Sequence, residues 1–113
     1  FGLGFAVAPE LLASIVTGTT PATPSAAIDM RATYGGMALG IAVVFGLCAR
    51  RSSTVRLGLR GVLAVMVGLA AGRALGIVVD GSPNVFMLAL LGAECVMAGL
   101  AGFVLRRGGA EAD

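Results

Sequence analysis

The sequence predicts an all-α, polytopic membrane protein: one domain over residues 1–113 built as a bundle of four transmembrane helices, the first truncated at its start. Three observations lead there. Hydrophobic residues make up 58% of the chain, and mean hydropathy is +0.98. Charged residues make up only 12%. The apolar residues also gather into four runs with short polar stretches between them. A soluble domain of this size cannot hide so much apolar surface, and the length allows one domain.

The first run is FGLGFAVAPELLASIVTG, residues 1–18, interrupted by Pro9 and Glu10. It is apolar from Phe1 onward and has no basic n-region and no cleavage site. A helix that begins upstream is therefore expected, rather than a signal peptide. TTPATPSAAIDM (19–30) reads as a loop and then a helix start near Ser25. The second run, 32–49, lies between Arg31 and the pair Arg50–Arg51. The third, 57–79, follows the polar stretch RRSSTVR. The fourth, 84–105, ends at Arg106–Arg107. The expected helices span about 1–18, 26–50, 55–80 and 83–106. Crossing a ~30 Å hydrocarbon core takes about 20 residues, which the last three satisfy. In DGSPN (80–84), Gly81 suits a helix C-cap, and Ser82 and Pro83 suit the start of the next helix. So short a link makes the third and fourth helices antiparallel neighbours.

Charge sets orientation. Arg50, Arg51, Arg56 and Arg60 cluster between the second and third helices, and Arg106 and Arg107 follow the fourth. The positive-inside rule puts both regions, and both termini, in the cytoplasm. Tyr34 then lies near the outer interface. Gly68, Gly72 and Gly76 share one face of the third helix, and Gly36 and Gly40 form a second GxxxG in the second. This spacing lets helix backbones approach closely in lipid. Packing inside the bundle is preferred here to a dimer interface.

Five ionisable side chains are hard to explain as solvated: Glu10, Arg31, Arg73, Asp80 and Glu94. At ~1.5 Å per residue, Arg73 lies roughly 10 Å below the outer turn, Glu10 about 12 Å and Glu94 about 15 Å. A lone charge at the bilayer centre costs on the order of 3 kcal/mol. The expectation is that Arg73 pairs with Glu94, Glu10 or both. Asp80 should meet Arg31 near the outer surface, beside Tyr34. Arginine suits the role because its fork can bond two carboxylates and keeps its proton. Such a network either fixes helix register or forms a pocket for a proton, an ion or a lipid headgroup.

Other chemistry finds no support. There is no His, no metal-ligand cluster and no P-loop, and the serines have no histidine partner. A net charge of +2 without a basic stripe argues against nucleic acid. Cys48 and Cys95 form no CxxC and are expected as two buried free thiols. No catalytic residue, metal or cofactor is expected. GLGFA (2–6) contains a GxG, but no strand precedes it, so it does not mark a dinucleotide site.

PELL (9–12), RATYGG (31–36), GRALGIVVDG (72–81) and the glutamate of GAECVMAG (92–99) occur in that order. Together they resemble a family of small bacterial membrane proteins, domain of unknown function 4345. The resemblance spans nearly the whole chain. It implies a four-helix fold and groups Glu10, Arg31, Tyr34, Arg73, Asp80 and Glu94 as one constellation. It implies no activity. The preferred expectation is a structural or accessory subunit in the bacterial cytoplasmic membrane, in contact with lipid and other membrane subunits. The alternative is a binding or transport protein with an outward-facing pocket around Arg73, Glu94 and Glu10. An enzyme of lipid chemistry ranks last.

Overall fold

The computed structural model describes residues 1–81 and 83–112, the last four of them by backbone alone. Those residues form helices and turns and no strand. Six α-helices follow in order: α1 (Gly2–Val7), α2 (Pro9–Val16), α3 (Pro24–Met30), α4 (Ala38–Ala49), α5 (Val55–Asp80) and α6 (Val85–Ala112). A π-helical turn, Arg31–Met37, joins α3 to α4 and makes Pro24–Ala49 one continuous 26-residue helix. That helix, α5 and the stretch Val85–Gly108 of α6 are each long and apolar enough to cross a membrane.

Two compact units form, Phe1–Val44 and Phe45–Asp113. In the first, Pro9 explains the break between α1 and α2. It has no N–H to continue the ladder, and its ring disfavours helical backbone at the preceding residue. Ala8 accordingly leaves the helix at φ −135° and ψ 67°. α1 lies against the π-turn: Phe5 is buried, and its ring centroid sits 5.2 Å from that of Tyr34. α3 starts at Pro24, near Ser25, and Thr23 caps it, its hydroxyl accepting from the Ala26 N–H at 3.1 Å.

In the second unit α5 and α6 pack as an antiparallel hairpin. Gly81 closes α5 with φ 72°, and its N–H reaches the Ile77 carbonyl at 3.0 Å. The expected Ser82 cap lies outside the described residues. Pro83 precedes α6 instead of opening it, and Asn84 supplies the cap, its Oδ1 accepting from the Met87 N–H at 2.9 Å. At the other end α5 meets the end of α4. A Cβ at Gly58 would lie 2.7 Å from Cys48 Cβ, and one at Gly61 would lie 2.8 Å from the Phe45 ring.

The two cysteines are free, but the expectation that both are buried needs correction. Cys48 is half-buried and Cys95 exposed. Cys95 follows Glu94 on α6, and a 100° turn per residue carries it off the face that the glutamate buries.

Candidate functional site

Arg73 and Glu94 meet across the α5–α6 hairpin. Arg73 Nε donates to both carboxylate oxygens at 3.1 Å, and Nη2 donates to Oε1 at 2.6 Å. The remaining terminal nitrogen, Nη1, lies 3.2 Å from the Met87 sulfur. Met87 and Glu94 are seven residues apart, two turns on one face of α6, so one long side chain from α5 reaches both. The Glu94 side chain is 8% exposed and that of Arg73 20%, so this ion pair is shielded by the helices themselves. Charge-assisted bonds of this fork type are the strong ones and fix orientation as well as proximity. Of the two partners expected for Arg73, the structure brings it to Glu94.

Arg31 occupies a different kind of site. Its Nη1 donates to the carbonyl of Ala6 and, at 3.3 Å, to that of Val7. Both carbonyls lie in the last turn of α1, where Pro9 and the bend at Ala8 interrupt the ladder. A cation at a helix C-terminus also complements the dipole. The π-turn adds one residue to the helical repeat and brings Arg31, Tyr34 and Gly35 onto α1 together. A Cβ at Gly35 would lie only 2.6 Å from the Ala6 nitrogen, so the two backbones are in direct contact there.

The remaining expected site residues are placed less tightly. Glu10 lies in the first turn of α2 and is exposed, where the helix N-terminus favours a carboxylate. Asp80 ends α5, also exposed, with Oδ2 3.8 Å from a Cβ placed on Gly76. Arg31 and Asp80 belong to different units, as do Glu10 and Arg73. The two GxxxG motifs close no tight contact among the described residues. Positions Gly40, Gly68 and Gly72 open onto free space, and Gly36 has only the Arg31 carbonyl at 4.0 Å. Close approaches occur instead at glycines such as Gly4, Gly35, Gly58 and Gly61, which the spacing argument did not single out.

No group of three or more His, Cys, Asp or Glu among the described residues could hold a metal ion. Glu94 has its carboxylate engaged by three guanidinium bonds, an arrangement suited to holding helices together.

Neither a curated protein nor a solved structure matches the chain. A family model does, the domain of unknown function DUF4345, over residues 1–105. The matched span contains α1, α2, the π-turn that packs on α1 and the Arg73–Glu94 hairpin. The chain therefore belongs to the DUF4345 family.

Proposed function

We propose that this chain is a four-helix integral membrane protein of the bacterial cytoplasmic membrane, serving as a structural or accessory subunit of a larger membrane complex. The α1–α2 segment supplies the first helix, and the three long apolar helices supply the rest. One observation carries the reading: none of the apolar window of α5 is buried within the chain, although its mean hydropathy is 2.2. Val67, Leu69, Leu75, Val78 and Val79 are exposed along it. An apolar surface of that length calls for lipid or a neighbouring helix. The open glycine face of Gly68 and Gly72 suits close approach by another backbone. The alternative, a ligand pocket around Arg73, Glu94 and Glu10, is less favoured because Arg73 already saturates Glu94.

Orientation follows from the arginines: the 50–56 turn and both termini face the cytoplasm, and residues 19–23 face outside. In a cysteine-free background, Thr20→Cys should react with a membrane-impermeant maleimide in intact spheroplasts. Ser52→Cys should react only after the membrane is opened. The opposite pattern would reverse the topology, and equal labelling of both in sealed spheroplasts would contradict membrane insertion.

A further inference from the structure

The turn between α4 and α5 forms an open cleft of about 570 Å³ lined by Leu47, Cys48, Arg50, Arg51 and Thr54, with both arginines exposed. We propose that this cleft seats the headgroup of an anionic phospholipid. The proposal rests on the membrane reading above and concerns a site separate from the Arg73–Glu94 pair.

Four observations point to that occupant. The Arg50 and Arg51 side chains have no hydrogen-bond or ion-pair partner among the described residues. Two neighbouring arginines are already used: Arg56 Nη2 donates to the Leu105 carbonyl at 3.3 Å, and Arg107 sits 5.2 Å over the Phe103 ring. Residues 30–79 contain no Asp or Glu, so no acid lies within twenty residues of Arg50 or Arg51 in the sequence. Thr54 precedes the 26-residue α5 but does not cap it; its hydroxyl donates to the Cys48 carbonyl at 2.8 Å. The Thr54 and Val55 N–H groups already bond to the Arg51 carbonyl, at 3.1 and 3.0 Å, so the two guanidiniums are the donors this cleft offers. Two unpaired guanidiniums at one cleft suit an anion. The other wall of the cleft, Leu47 and Cys48, belongs to the last turn of an apolar helix long enough to span a bilayer, so the anion it fits has an apolar body attached. Guanidinium forks match phosphate oxygens in pairs.

The test uses the full chain in phosphatidylcholine bilayers containing trace spin-labelled phosphatidylglycerol or phosphatidylcholine. The fraction of motionally restricted label gives the preference. An interfacial arginine contributes about fivefold in affinity, so two predict a preference for phosphatidylglycerol of about twenty-five-fold. Arg50→Gln with Arg51→Gln should abolish it. Arg60→Gln with Arg106→Gln removes the same charge outside the cleft and should retain most of it. Equal loss in both double variants would reduce the effect to general surface potential and overturn the site. Inorganic phosphate should compete no better than chloride at matched ionic strength; selective competition by phosphate would make this a free-anion site and overturn the lipid assignment. An alkaline carbonate wash separates the two claims. Release of the protein from phosphatidylcholine vesicles would overturn the membrane reading as well, whereas retention without lipid preference would overturn the headgroup site alone.

Discussion

Arg73→Ala should destabilise the α5–α6 hairpin by about 3–5 kcal/mol, because it leaves a shielded carboxylate without its partner. Among the described residues three guanidinium bonds satisfy Glu94, and they all come from Arg73. The double substitution Arg73→Met with Glu94→Leu should recover most of the loss, since apolar residues of similar length replace both charges and neither is left stranded. Thermal unfolding in mild detergent, followed by circular dichroism, reads both. An unchanged melting temperature for Arg73→Ala would mean the pair does not hold the hairpin. Rescue of stability with loss of a cellular phenotype would favour the pocket reading over the structural one.

The second large effect is expected at Gly35. A Cβ there meets two backbone atoms, Ala6 N at 2.6 Å and Ala6 Cα at 2.8 Å. Backbone cannot swing aside as a flexible side chain can, so α1 must move away from the π-turn. The movement stretches the Arg31 bonds to α1 and the Phe5–Tyr34 contact. Overpacking of this kind costs about 1–3 kcal/mol for Gly35→Ala, and Gly35→Val should cost more. Gly36→Ala is the control. Its Cβ meets only the Arg31 carbonyl at 4.0 Å, so it should stay within about 0.5 kcal/mol of the parent or gain from helix propensity. Equal melting shifts at the two positions would contradict the contact.

These two sites show what a sequence reveals and what it conceals. Apolar runs and their Arg boundaries locate the long helices because lipid-length hydrophobicity is a one-dimensional signal. The Arg73–Glu94 pair is legible for a related reason: a short link fixes the hairpin, and counting residues from it places both charges in the same part of the helix pair. Arg31 is different. Its acceptors are the carbonyls of Ala6 and Val7, exposed by a bend at Ala8, and a backbone acceptor has no letter in the sequence. A sequence offers only side chains such as Asp80 as visible partners for an arginine. The π-turn is equally silent, because RATYGG can be read as ordinary α-helix with no break in its pattern. Glycine spacing tells which glycines share a helix face but not which face finds a neighbour. Hence Gly68 and Gly72 are open while others, Gly35, Gly58 and Gly61 among them, make close approaches.

The central claim is that this chain works as a subunit against other membrane proteins. The measurement that tests it most directly is the native mass and composition of the C-terminally tagged protein, extracted from its own membranes in mild detergent. The account predicts stoichiometric co-purification with a larger membrane complex, weakened by Gly68→Leu and Gly72→Leu, which would block the open glycine face. Migration as a monomer or a small homo-oligomer, unchanged by those substitutions, would contradict it.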